Sequence, residues 1–269
     1  MMIIGNKMFE IGKKTYVMGI LNVTPDSFSD GGKFNQLDLA LKRVEEMIGE
    51  GADIIDIGGE STRPGHTVIS EEEEIERVSP MIREIKSRFN IPISLDTYKS
   101  KVAKAGIVEG VDMINDIHGL RFDANMAPVI KDGNIACCLM HYRDKSGYSN
   151  LIEDMKSDLT ESIRIAKKFG IDNDKIILDP GIGFGKKYED NLAAIRNMGL
   201  FHDLGYPILL GASRKSFIGL TLNLDEKNRL EGTLATTVMA VMQGIEFVRV
   251  HDIKENVRVI RMTEAIMNS

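Results

Sequence analysis

The sequence predicts an α/β fold, a (β/α)8 TIM barrel with a short N-terminal β-hairpin, and three observations carry that prediction. Eight short apolar runs recur at intervals of roughly 20 to 40 residues, the spacing of successive strand–helix units. Between them lie segments whose apolar residues recur every three or four positions, as on one face of a helix. No linker rich in Pro, Gly or Ser and no low-complexity stretch divides the 269 residues, so 1–269 reads as one domain. An open doubly wound sheet would use fewer strands and carry a clear nucleotide loop after the first.

Taken in order, residues 2–11 read as a hairpin closing the barrel bottom. The strands follow at residues 16–21, 54–57, 93–95, 111–114, 135–140, 176–178, 208–210 and 247–250. Leu37, Leu41, Val44 and Ile48 form the apolar stripe of a first helix, and Ile75, Val78, Ile82, Ile85 and Phe89 that of a second. Ser70 with Glu73 has the spacing of a capping box, and the acidic run at 71–74 suits the positive end of the second helix. Leu151, Met155, Leu159, Ile163, Ala166 and Phe169 mark a further helix, and Val257, Ile260 and Met267 a last one.

Composition narrows the function. With 43% apolar and 28% charged residues the chain is ordinarily globular, which argues against disorder. Lys+Arg 34 against Asp+Glu 40 leaves a net charge of −6, so no large basic field is available for nucleic acid. The best candidate for a membrane span, residues 232–250, is interrupted by Gln243, Glu246 and Arg249, and residues 1–7 lack a signal-peptide pattern. A cytoplasmic protein with no membrane partner is expected. The two cysteines, Cys137 and Cys138, are neighbours in one apolar run, where a strand sends them to opposite faces and core packing explains them.

In a barrel of this kind chemistry sits at the C-terminal ends of the strands. The runs are followed there by Asn22, Gly58-Gly59-Glu60, Asp96, Asn115-Asp116, His141, Asp179 and Ser213-Arg214-Lys215, while Arg249 and His251 belong to the last strand and its end. Any one Asp, Asn or Ser could be a helix cap, but repetition at nearly every strand weakens that explanation. Period-two alternation puts Phe247, Arg249 and His251 on one face, so Arg249 and His251 point into the mouth and require an anion. Because the loops after strands seven and eight are the usual phosphate site, and Lys215 follows strand seven, a phosphorylated substrate is expected. The glycine-rich segments 181–186 and 211–216 match neither a dinucleotide fingerprint nor a P-loop. Gly31-Gly32 and Gly58-Gly59 read as hinges that let residues 22–32 and 61–66 close over a ligand.

Two long segments, residues 19–32 (Gly-Ile-Leu-Asn-Val-Thr-Pro-Asp-Ser-Phe-Ser-Asp-Gly-Gly) and 56–65 (Asp-Ile-Gly-Gly-Glu-Ser-Thr-Arg-Pro-Gly), closely resemble the signature segments of the dihydropteroate synthase family. The likeness continues through 94–97, 114–116, 139–141, 178–186, 211–216 and 248–252, in family order and over essentially the whole chain. The resemblance implies a transferase of folate synthesis, usually a homodimer and a sulfonamide target. Such an enzyme condenses p-aminobenzoate with 6-hydroxymethyl-7,8-dihydropterin pyrophosphate to 7,8-dihydropteroate and pyrophosphate.

Carried over by position, Asp96, Asn115, Met140, Asp179, Phe184, Lys215 and Arg249 match the pterin-binding set. The amino-pyrimidine edge of a pterin offers paired N–H donors to a carboxylate, a role that suits Asp179, and the Arg249 guanidinium would stack on the ring. Asn22, Arg63, Arg249 and His251 match the pyrophosphate positions, with Asn22 as the protein ligand of Mg2+, a cation that leans on substrate phosphates. Phe28, Thr62, Pro64, Phe184, Ser213 and Lys215 match the p-aminobenzoate pocket. The resemblance makes Asp30, Arg63, Lys215, Arg249 and His251 the catalytic group, with Asp30 near a cation-like methylene. His66, Thr67, Tyr142 and the cysteine pair depart from the family's usual residues without removing a ligand. A methyltransferase sharing the barrel and the pterin carboxylates should lack both signature loops and Lys215. A non-catalytic pterin-binding paralogue should lose the loop chemistry, yet Asn22, Arg63 and His251 are intact.

Overall fold

Residues 1–23, 33–60 and 68–269 are described by a computed structural model, the side chains of 33–36 excepted. Strands β1 (Met2–Ile4) and β2 (Lys7–Phe9) form the expected hairpin, pairing Met2 with Phe9. The barrel strands are β3 (Tyr16–Asn22), β4 (Ile54–Gly58), β5 (Ile93–Asp96), β6 (Met113–Asp116), β7 (Ala136–Met140), β8 (Ile176–Asp179), β9 (Leu209–Leu210) and β10 (Phe247–Val250). They pair in parallel in the order β8-β7-β6-β5-β4-β3-β10-β9. A bridge between Leu178 and Ile208 joins the two ends of that order and closes the barrel. The eight predicted strands are thus the eight observed, several running further: Asn22, Gly58, Asp96 and Asp179 extend theirs by one residue, and the strand expected at 111–114 runs from Met113 to Asp116.

The helices α1 (Lys33–Glu50), α2 (Glu71–Arg88), α3 (Ser100–Val108), α4 (Met126–Gly133), α5 (Leu151–Lys168), α6 (Tyr188–Arg196), α7 (Ser216–Leu222), α8 (Leu230–Met242) and α9 (Ile253–Met267) surround the strands. Their apolar stripes meet the outward residues of the strands in one continuous layer, in which Val44, Val78, Ile82 and Leu159 pack with Ile55, Ile57, Leu95 and Leu139. Met267, assigned to the last stripe, is exposed because α9 turns that end to solvent. The segment considered as a membrane span is divided between α8 and β10, and no described helix is long and apolar enough to cross a bilayer.

At the start of α2, Ser70 Oγ accepts from the Glu73 backbone N–H at 3.1 Å, as a cap should. The capping box is only half made: Glu73 pairs with Arg77 one turn on, a competing charged partner on the same helix face.

Inside the barrel the alternation of each strand divides the molecule into a dry end and a polar end. Tyr16, Met18, Ile54, Met113, Ala136, Cys138, Ile177, Leu209 and Phe247 fill the lower interior and are capped from below by Met2, Ile4 and Phe9 of the hairpin. Cys138 lies in this inner layer and Cys137 in the outer one, the opposite placement that strand alternation requires. Most of the next inward positions towards the C-terminal end are polar or glycine, with Ile20 and Met140 the apolar exceptions, and the site is built there.

Candidate active site

The last inward-facing residues of six of the eight strands supply the floor of the mouth: Asn22 from β3, Asp96 from β5, Asn115 from β6, Met140 from β7, Asp179 from β8 and Arg249 from β10. Register brings them together in pairs, Asp96 beside Asn115 and Met140 beside Asp179. Asp96, Asn115 and Asp179 are all buried, a costly placement for polar groups that requires partners.

Arg249 donates from Nε to Asp56 Oδ2 at 2.6 Å and from Nη2 to Asp96 Oδ2 at 2.7 Å. Arg249 does require an anion, as its inward position implied, but the fold itself supplies two. Asp56 had no assigned role, although it faces inward between Ile54 and Gly58 and is fully buried. Burial works against the Arg249 charge, and the two carboxylates more than offset it, raising its pKa. Burial also pushes Asp96 up to about 7, with Arg249 opposing and Asp56 and Glu74 reinforcing the rise. Asp56 Oδ1 and Asp96 Oδ1 remain buried with no hydrogen-bond partner among the described residues. Orphaned acceptors at the floor of a mouth are what a ligand carrying N–H donors would satisfy.

Asp179 is organised from the loop that follows it. Its Oδ1 accepts from the Gly181 N–H at 2.7 Å, while Gly211 leaves room beside Oδ2, since a Cβ there would stand only 3.3 Å away. Burial raises the Asp179 pKa, opposed chiefly by Lys215. Lys215 caps α7, donates from Nζ to the Ile182 carbonyl and lies 4.5 Å from the centroid of the Phe184 ring. Burial pulls its pKa down to about 8 against the attraction of Asp179. Met140 packs with Tyr98 and Ile117, and Tyr142 and Phe184 lean on that cluster, so an apolar wall stands beside the carboxylates. Met140 and Phe184, which the resemblance makes pterin-lining residues, both belong to this wall.

Ser213 and His251 meet at the ends of β9 and β10. Ser213 Oγ accepts from the His251 backbone N–H at 3.3 Å and stands 2.9 Å from His251 Nδ1. Accepting from the backbone leaves the hydroxyl hydrogen for Nδ1, which puts the ring proton on Nε2. Arg214 turns away and pairs with Asp252, using a backbone φ of 58°. Asp116, one of the strand-end carboxylates, serves its own loop: it accepts from the N–H groups of His118 and Leu120 at 2.9 and 2.7 Å.

Phe28, Asp30, Thr62, Arg63 and Pro64 lie outside the described residues, as do Gly31-Gly32, His66 and Thr67. Of the presumed hinges, Gly59 is required by packing, since a Cβ would come within 2.7 Å of Val78 Cγ1. Nearby, Lys99 donates to Glu60 at 2.6 Å, to the Ile69 carbonyl at 2.8 Å and to Glu74 at 2.7 Å, tying the end of β4 to the start of α2. No sequence pattern singled out Lys99, and Glu74 was read only as part of the acidic run at the start of α2, because the pairing joins residues from different strand–helix units.

The chemistry of the donor set suits Mg2+ only in company. Among the described residues no group of three or more His, Cys, Asp or Glu could hold a metal, so a protein-only cage is absent there. Asn22 contributes one neutral amide oxygen beside side-chain-free Gly58. One hard oxygen at the mouth fits a cation whose other ligands are water and substrate phosphate.

The model of the pterin binding enzyme family matches residues 18–251, from within β3 to just past the end of β10. The chain belongs to the dihydropteroate synthase family. It is 59% identical to the dihydropteroate synthase of Clostridium beijerinckii over 98% of both chains. A crystal structure of the Clostridium difficile enzyme in the presence of pteroic acid superposes with a TM-score of 0.95 at 52% identity, covering 97% of this chain and all of that one. The Xanthomonas albilineans enzyme with 4-aminobenzoic acid superposes with a TM-score of 0.92 at 37% identity, covering 96% and 95% of the two chains.

Proposed function

We infer that this chain, working as one barrel domain over residues 1–269, is a dihydropteroate synthase. It joins p-aminobenzoate to 6-hydroxymethyl-7,8-dihydropterin pyrophosphate and releases 7,8-dihydropteroate and pyrophosphate. The observation that carries the reading is the mouth itself: Asp96, Asn115 and Asp179 are buried beside Lys215 and Arg249, and Asp56 Oδ1 and Asp96 Oδ1 have no hydrogen-bond partner among the described residues, a need that a ligand rich in N–H donors would meet.

In this reading Asp179, Asn115 and Asp96 hold the pterin edge, Met140 and Phe184 line its faces, and Arg249 stacks on the ring. The two carboxylates on Arg249 hold its guanidinium plane for that stacking. The amine nitrogen of p-aminobenzoate forms a bond to the pterin methylene carbon as the bond from that carbon to the pyrophosphate oxygen breaks. The resulting ammonium then loses a proton. A neutral arylamine already has its lone pair, so no strong base is needed. Catalysis rests on alignment, exclusion of water and stabilisation of the departing anion.

Arg63, Arg249, His251 and Asn22 take the pyrophosphate, with Asn22 holding Mg2+, which supplies charge neutralisation to the leaving group when bound. Phe28, Thr62, Pro64, Phe184, Ser213 and Lys215 form the arylamine pocket, which a sulfonamide would enter as a mimic of p-aminobenzoate. In this reading Asp30 is the carboxylate that offsets positive charge developing at the methylene.

The protein acts in the cytoplasm as a homodimer through α8 and α9, a proposal supported by Met242 on α8 and Met262 and Ile266 on α9, all apolar and exposed. Nucleic acid and membrane are not partners in this reading.

Pyrophosphate release from purified protein, the dihydropterin pyrophosphate and Mg2+ tests the function. Release that requires p-aminobenzoate, yields dihydropteroate and stops with chelator is the expected result. Pterin binding without release would assign the chain to a binding paralogue.

A further inference from the structure

A second buried polar cluster stands behind the site and is not used by the chemistry above. Lys186 Nζ donates to the carbonyls of Gly181 at 2.8 Å and Phe184 at 3.1 Å, and lies 3.0 Å from His141 Nδ1. His141 is fully buried at the end of β7, and its Nε2 stands 3.0 Å from Asp158 Oδ2 on α5. Arg143 Nε holds the same Asp158 oxygen at 2.6 Å. The carboxylate can only accept, so His141 carries its proton on Nε2 and offers Nδ1 as an acceptor. Lys186 therefore faces three acceptors, which is the full donor complement of an ammonium.

The segment that Lys186 grips is otherwise fixed by the buried Ile182 side chain and by single hydrogen bonds from the Gly183 N–H to Asn191 Oδ1 at 2.6 Å and from the Tyr148 hydroxyl to the Gly185 carbonyl at 3.2 Å, while Lys186 alone ties two of its carbonyls to the end of β7. Gly181, Gly183 and Gly185 all have positive φ, 66°, 88° and 58°, so the loop after β8 has no regular ladder of its own. Yet it presents the Ile182 carbonyl to Lys215 and the Phe184 ring beneath the same ammonium. Asp179, by contrast, belongs to β8 and is paired in register with Met140.

We propose that Lys186, braced by His141 and Asp158, is a positioning residue that sets the loop carrying Phe184 and the Ile182 carbonyl, and through them the arylamine side of the active site. The inference rests on the synthase reading and adds to it a residue that touches neither substrate. Phe184 also lines the pterin and Asp179 takes the Gly181 N–H from this loop, but the pterin keeps Asp96, Asn115 and Met140 on three other strands. The arylamine side draws both Phe184 and the carbonyl partner of Lys215 from the loop, so losing Lys186 affects the arylamine more than the pterin.

The test is steady-state kinetics of Lys186→Met, Lys186→Arg and Asp158→Asn with both substrates, alongside thermal melting. Lys186→Met is expected to raise KM for p-aminobenzoate by about tenfold or more while KM for the pterin pyrophosphate changes less than about threefold. Lys186→Arg, whose fork can reach both carbonyls, should restore most of the loss. Asp158→Asn, which weakens only the outer link, should shift the same KM by a smaller factor and serves if Lys186→Met fails to fold. An unchanged KM for p-aminobenzoate in folded Lys186→Met, or in Asp158→Asn where Lys186→Met does not fold, overturns the proposal. So does an equal rise for both substrates without rescue by Arg, which is the mark of a merely structural role. If the unsubstituted protein makes no dihydropteroate, the synthase reading fails instead.

Discussion

Lys215 and Asp96 show how residue chemistry is set by place. Burial pulls Lys215 down to about 8 and pushes Asp96 up to about 7, each towards its neutral form. The signs follow directly: Lys215 is charged below about pH 8 and loses that charge above it, whereas Asp96 is charged above about pH 7 and loses its charge below. The profile of kcat/KM, which reports the free enzyme, is therefore expected to fall on the acid side of about 7 and on the alkaline side of about 8. In Lys215→Gln the alkaline limb near 8 should disappear at reduced activity, and in Asp96→Asn the acid limb should. Unchanged limbs would assign them to other groups. The partners of Arg249 were harder to foresee than the arginine itself. Alternation along one strand placed it inside, but Asp56 and Asp96 lie 193 and 153 positions away in the chain.

At the scale of elements, the loop after β8 shows why glycines cluster where backbone must meet backbone. A Cβ on Gly181 would overlap the His141 carbonyl oxygen, and its φ of 66° is left-handed. Gly12 has a similar φ of 78° but nothing within 4 Å of a Cβ. Urea denaturation should separate the two causes. Gly12→Ala is expected to cost about 1 kcal/mol, the conformational penalty alone, and Gly181→Ala about 3 kcal/mol or more, with loss of activity. Equal costs would mean that the His141 strand end yields readily. Strand limits were legible to within about one or two residues because apolar runs end where polar ones begin. The half-made capping box was not, because Arg77 competes for Glu73 with a charge that local cap spacing does not weigh.

The whole molecule separates stability from chemistry along the barrel axis. Phe9 packs edge-on against Tyr16 with ring centroids 4.8 Å apart and is wholly buried at the dry end, far in the fold from the polar mouth. Phe9→Ala is expected to cost about 3–5 kcal/mol in urea denaturation while leaving KM for both substrates unchanged in the folded protein. A large change in either KM would show that the hairpin plug is coupled to the mouth.

By itself the sequence determined the hairpin, the strands, their order along the chain and, for the last strand, which residues face inward, because these follow from local periodicity. Its signature segments also carried the family. Tertiary structure alone decided which inward groups meet: Arg249 with Asp56 and Asp96, Lys186 with His141, and Lys99 with Glu60 and Glu74. Barrel closure brings together side chains from different strand–helix units, and the cost of burying a charge then selects among them the pairs that can share it.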